Sequence, residues 1–209
     1  MPMHRHGADD IILAFPTPVL ARVMRGKQSF NERLRDIILK HADEDVGVGA
    51  SNVGGWHSEP DLFTWPYPEV RELMQWVGKA IGRMARFTSD QEDAIGEFNA
   101  VGWANVLGAG AYNIPHTHPD CMWSGVYYVD VGTKPESSPS SGMIEFIDPR
   151  TAVDNSSMPG DPFAGKLSFD PEPGLMIIFP SWLYHYVHPY HGRGRRVSIS
   201  FNARLSDTH

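Results

Sequence analysis

The sequence lacks a disulfide framework, a membrane span and a basic surface. Cys121 is the one cysteine in 209 residues, so no internal disulfide can form and a reducing compartment is expected. The longest apolar runs, Ile11–Phe15 and Leu175–Pro180, fall far short of the roughly 20 residues a spanning helix needs. Met1–Asp10 mixes His, Arg and Asp with no apolar stretch, so no secretory signal is expected and a cytoplasmic location is. Lys and Arg number 18 against 25 Asp and Glu, a formal net charge of −7. That balance argues against general nucleic-acid binding, which needs a basic footprint.

What the chain does have is 20 Gly, 17 Pro and 10 His, within 41% apolar and 21% charged residues. This is the composition of a soluble globular domain rich in turns, with an unusual supply of metal-ligating imidazoles. The length fits one hydrophobic core. We read residues 1–209 as one domain, with an N-terminal helical and loop part over about 1–97 and a β core over about 98–204.

Two helices are expected in the first part. Ser29 with Glu32 resembles a capping box, after which Phe30, Leu34, Ile37 and Ile38 recur at helical spacing. From about Pro68 to Phe87, the apolar residues Val70, Leu73, Met74, Val77, Ile81 and Met84 share one face. Between the helices Asn52–Trp56 reads as a loop. From about residue 98 the pattern changes to short β runs. The candidate strands are Ala100–Leu107, Tyr112–His116, Trp123–Val131, Met143–Ile147, Lys166–Phe169, Leu175–Phe179 and Arg196–Asn202. Many short strands with turn signals predict a β-sandwich or jelly roll with helices packed outside. Thr133–Ser141 and Ala152–Ala164 are polar and read as flaps.

The densest His cluster is Pro115-His-Thr-His-Pro-Asp120. On a strand, His116 and His118 point to the same side about 7 Å apart, and a third ligand would complete a metal site. A second group, His185, His188 and His191, follows the apolar strand that ends at Phe179. His185 and His188 are three apart, so an extended chain sends them to opposite faces. His191 sits in a Gly-rich turn and reads as solvated, and Cys121 as a small, partly buried side chain.

Several segments together resemble the 2-oxoglutarate/Fe(II) oxygenases of bacteria and phages: Trp103-Ala-Asn105, Pro115-His-Thr-His-Pro119, Trp123-Ser-Gly-Val-Tyr-Tyr128, Phe179-Pro-Ser-Trp-Leu-Tyr-His185 and Arg196-Val-Ser-Ile-Ser-Phe-Asn202. Phe15-Pro-Thr-Pro18 and Ser51-Asn-Val-Gly-Gly-Trp56 extend the resemblance over nearly the whole chain. The aspartyl/asparaginyl β-hydroxylases are more distantly similar. The resemblance implies a double-stranded β-helix, cupin-like, and an Fe(II)- and 2-oxoglutarate-dependent dioxygenase releasing succinate and CO2 as it hydroxylates a small-molecule or protein substrate. It implies His116 and His185 as iron ligands and Arg196, with Ser198, as the anchor for the far carboxylate of 2-oxoglutarate. Asn105 and Tyr127 match polar cosubstrate contacts.

The third ligand departs from the usual His-x-Asp. Position 118 is His, giving His116, His118 and His185, while a shift by two gives His118, Asp120 and His185. An all-imidazole site leaves the full metal charge uncompensated and keeps open a cupin-like three-His dioxygenase without 2-oxoglutarate. A non-enzymatic jelly-roll binding module is the other alternative. No membrane partner is expected, and a homodimer is the assembly to test for.

Overall fold

A computed structural model describes residues 15–89, 96–150, 152–155 and 165–206. Helix α2 (Pro68–Thr88) starts with Pro at a position where no intrahelical N–H is needed. It buries Val70, Leu73, Val77, Ile81 and Met84, but Met74, at the edge of the apolar stripe, is 42% exposed. Helix α1 (Gln28–Glu44) buries Phe30, Leu34 and Ile38, with Ile37 packed alongside. The expected capping box does not form. The helix begins two residues earlier than a Ser29 cap would set it, Lys27 at its N-cap makes no side-chain cap, and Glu32 instead accepts a hydrogen bond from Gln28 at 3.1 Å.

Both helices cover one face of a six-stranded antiparallel sheet, whose order is β1 (Leu20–Val23), β9 (Leu175–Pro180), β6 (Trp123–Asp130), β11 (Arg196–Leu205), β4 (Phe98–Leu107), β3 (Trp56–His57). Strand β11 lies at its heart, paired with β4 and β6. Val197, Ile199, Phe201 and Ala203 point into the helix-side core. Phe201 stands opposite Gly125. A Cβ at Gly125 would lie 2.4 Å from the Phe201 ring, so only glycine leaves room for the aromatic.

A five-stranded sheet faces the other side, in the order β2 (Asn52–Val53), β5 (Tyr112–His116), β10 (His185–Val187), β7 (Ile144–Ile147), β8 (Lys166–Phe169). Between the sheets Val126, Tyr128, Ile144, Phe146, Ile177 and Phe179 form a second apolar cluster. Two antiparallel sheets enclosing a core, with helices outside one of them, are the double-stranded β-helix. The division at residue 97 does not hold in space, because β1, β2 and β3 of the N-terminal part join the two sheets.

The segment expected as a loop at Asn52–Trp56 crosses from one sheet to the other. Strand β2 pairs with β5, β3 pairs with β4, and Gly54 and Gly55 turn between them at φ 66° and 75°. A Cβ at Gly55 would come within 2.7 Å of the Val106 carbonyl oxygen. Strand β10 is likewise not predicted by the sequence, since its three residues are too few to show a period. Thr133–Ser141 is tied down rather than flap-like: Thr133 bridges to Arg193, and turn hydrogen bonds join Pro135, Ser138 and Ser141. His4, His6 and most of Ala152–Ala164 lie outside the described residues.

Candidate metal and cosubstrate site

Antiparallel pairing of β5 with β10 sets His116 directly opposite His185. His118 lies just beyond the end of β5, where its backbone N–H donates to the Ser181 carbonyl at 2.9 Å. One ligand nitrogen from each of His116, His118 and His185 lies within 4.8 Å of the other two. The Nδ1 atoms of His116 and His185 face the carbonyls of Ile114 and Leu183 at 2.7 and 2.9 Å. A carbonyl only accepts, so Nδ1 carries the proton and Nε2 offers its lone pair. Phe179 stands 4.7 Å from the His185 ring and Phe146 5.9 Å. Burial, with the neighbouring His116 adding to it, pushes His185 down to about 3 and His118 down to about 4. Burial also lowers His116. The three rings are therefore neutral at pH 7, the state in which imidazole binds a metal.

Asp120 is outside this group. It is exposed and adopts φ 61°, so the chain turns after Pro119 and the period-two alternation that would align it with His118 is lost. His188 faces the outer side of the small sheet and pairs with Glu145 at 3.0 Å. His191 is exposed and Cys121 is partly buried, both as expected.

The cavity beside the imidazoles measures about 50 Å³, room for a few waters and far below a drug-sized pocket. Trp103, Val126, Ile144 and Phe179 form its apolar wall, and Ser51, Asn105, Asn113, Ser198 and Ser200 its polar one. Asn105 donates from Nδ2 to Ser200 at 3.1 Å. Arg196 opens the same face of β11, is 2% exposed, and reaches Ser198 Oγ at 3.3 Å. Its guanidinium lies 5.0 Å from the Tyr128 ring. Arg196 Nε and the Tyr128 hydroxyl are both buried without a hydrogen-bond partner, and among the described residues no carboxylate pairs with Arg196. Arg195 faces outward to Asp43.

Tyr127 does not contact this cavity, contrary to expectation. Its hydroxyl donates to Asn31 of α1 at 2.7 Å on the helix side of the sheet. Alternation along β6 turns the next residue, Tyr128, inward instead. Ser200 lines the cavity with Ser198, as period-two alternation from Arg196 expects, whereas Ser51 and Asn113 were not singled out. Nor was His57, which stacks on Trp103 at 5.6 Å and donates from Nδ1 to the Ser58 carbonyl. Of the other tryptophans, Trp123 is core and Trp182 is 53% exposed. A larger groove of about 500 Å³ lies between the β1–α1 turn and the end of β6. It is remote from the imidazoles, and its Lys27 and Arg35 are already paired with Glu72 and Asp130.

Neutral imidazoles and a buried, uncompensated cation fit a divalent metal and a dianionic cosubstrate. The sequence profile of a family described as "Putative 2OG-Fe(II) oxygenase" matches residues 102–202. No curated protein matches the chain. Among solved structures, a Pseudomonas putida prolyl-4-hydroxylase is similar at TM-score 0.66 and 13% identity, covering 91% of this chain and 94% of that one. A Trichoplax adhaerens prolyl hydroxylase, in complex with a hypoxia inducible factor peptide fragment, gives 0.64 and 14%, covering 90% and 83%. HygX from Streptomyces hygroscopicus, with nickel and 2-oxoglutarate bound, gives 0.62 and 12%, covering 91% and 84%. At these identities the structural likeness speaks for the fold. Residues 102–202, which match that 2-oxoglutarate- and Fe(II)-dependent oxygenase family, span the imidazole cluster and Arg196.

Proposed function

We propose that His116, His118 and His185 hold the iron, that Arg196 with Ser198 takes the far carboxylate of 2-oxoglutarate, and that the reaction hydroxylates a substrate C–H. The observation that carries this reading is Arg196. A guanidinium cannot shed its charge, and burying one without an anion is costly, so its surroundings call for a carboxylate from outside the chain. Its planar fork matches two carboxylate oxygens, and the Tyr128 hydroxyl beside it is free to add a bond. Ser198 leads from the guanidinium into the cavity, and Asn105, fixed by Ser200, flanks it.

When bound, iron and 2-oxoglutarate supply oxidising power from dioxygen, with succinate and CO2 released. The chain's own residues hold the ligand rings in one tautomer, exclude water through Phe146, Phe179 and Trp103, and orient the keto acid from its far end. Anaerobic addition of Fe(II) and then 2-oxoglutarate should produce a weak visible absorbance band saturating at one equivalent of each. No band, or one insensitive to 2-oxoglutarate, would overturn the reading.

The all-imidazole cluster favours one second reading, a three-His dioxygenase that needs no cosubstrate. In that case dioxygen consumption with substrate would proceed without succinate, and replacing Arg196 would change little.

A further inference from the structure

The segment Ser51–His57 is absorbed by neither the metal site nor the cosubstrate anchor. Gly54 and Gly55 carry it across the open edge of the two sheets, and its first residue, Ser51, lines the cavity beside Asn113 of β5. Asn113 Nδ2 donates to Ser51 Oγ at 3.1 Å. That bond leaves the Ser51 O–H as a donor and Asn113 Oδ1 as an acceptor, side by side. Turning the Asn113 amide by 180° exchanges which residue donates and leaves the same complement, one donor and one acceptor. Among the described residues lining the cavity none is Asp, Glu, Lys or Arg. Arg196 lies beyond Ser198 on the opposite sheet. Away from the metal ligands, a charged substrate group would meet no side-chain counter-charge at Ser51 and Asn113 and would lose its hydration.

We propose that Ser51 and Asn113 are the substrate-orienting pair of this oxygenase, and that they recognise an uncharged carboxamide next to the carbon that is oxidised. An amide fits both positions at once, its N–H to Asn113 Oδ1 and its C=O to the Ser51 hydroxyl. A carboxylate has no donor for the asparagine oxygen, and an ammonium has no acceptor for the serine. The cavity's small volume admits only the reacting end of such a molecule, so the rest of the substrate stays outside it. The inference rests on the iron and 2-oxoglutarate reading for its chemistry, but the recognition is testable without it.

The probes are three series with matched carbon skeletons: primary carboxamides, the corresponding carboxylic acids, and the corresponding primary amines. Binding is read by ligand-observed NMR, on metal-free protein and on protein loaded with Zn(II) and 2-oxoglutarate. Absent metal or 2-oxoglutarate binding sinks the parent reading alone, because the metal-free comparison still reports on the pair. The carboxamides are expected to bind about tenfold or more tighter than the acids, the size of one or two hydrogen bonds. Ser51→Ala and Asn113→Leu should each bring amides and acids to parity, with metal stoichiometry and 2-oxoglutarate affinity unchanged. Asn113→Asp should move the preference toward the free amines. Tighter binding of acids or amines to the wild-type protein overturns the proposal, as does an amide preference that survives both Ser51→Ala and Asn113→Leu.

Discussion

The two sheets differ in what their faces do. The large sheet is buried on both sides, against α1 and α2 on one and the inter-sheet core on the other. It contributes the buried cation Arg196 with Ser198, Ser200 and Asn105. The small sheet leaves its outer face to polar groups such as Glu145, Tyr186, Lys166 and His188. On its inner face it contributes His116 and His185, with His118 just beyond its edge. The proposed anion anchor thus sits in the part of the molecule with the most packing behind it, while the imidazoles sit on short strands and a turn. The lesson is one of tolerance. A side chain whose charge must be buried needs a rigid, dry layer, whereas neutral ligands need convergence more than depth.

The largest test of that contrast is removal of metal from the small sheet. His185→Ala and His116→Ala should each reduce metal from about one per chain to near zero, measured by elemental analysis after reconstitution. Asp120→Ala and His188→Ala should leave the stoichiometry unchanged, since the first is exposed and the second faces the outer side. Metal kept in His116→Ala but lost in Asp120→Ala would restore the ordinary His-x-Asp site.

The large sheet should instead answer in stability. Phe201→Ala removes a fully buried ring between β4 and β6, and the expected loss is about 3–5 kcal/mol by urea unfolding. The same experiment on His185→Ala in metal-free protein should show less, and equal losses would erase the proposed difference between the sheets.

Acid sharpens the contrast further. His118 and His185 titrate at about 4 and about 3 when folded, below the ordinary value near 6.5, so between those limits the unfolded chain binds more protons. Metal-free protein should therefore lose stability as pH falls from about 6.5 toward 4, by roughly 1–2 kcal/mol per residue between pH 7 and 5. Glu145 acts in a lower window. Burial raises its carboxyl, but bonds from Tyr186, Lys166, His188 and Ser168 outweigh that and hold it at about 2. Its contribution is present above about 4.5 and lost as pH falls toward 2. Glu145→Gln should flatten the acid limb only below pH 4.5, and a change between pH 7 and 5 would contradict this assignment.

The smallest effect belongs to a conservative change in the anchor. Arg196→Lys keeps the charge but loses the fork, so 2-oxoglutarate affinity should fall about tenfold, or ~1.4 kcal/mol, with metal binding intact. Unchanged affinity in the absorbance titration would remove Arg196 from the cosubstrate site.

The sequence by itself determined the β core, both helices and which way β11 faces. Periodicity reports burial directly, and Arg196, Ser198 and Ser200 alternate cleanly with Val197, Ile199 and Phe201. Spacing alone also separated His185 from His188. It could not place Tyr127, because two adjacent tyrosines in an unbroken apolar run carry no period that says which one turns inward. It left the third ligand open, since whether Asp120 continues the strand or leaves it depends on a positive φ after Pro119 that no pattern announces. Tertiary structure decided that, as it decided the fate of Ser51–His57. Two paired residues on either side of Gly54-Gly55 are too short to read as strands, and only the presence of β5 and β4 at the right distance makes them so. The convergence of Ser51 with Asn113, 62 positions apart in the chain, is a property of sheet pairing, and no local preference could have encoded it.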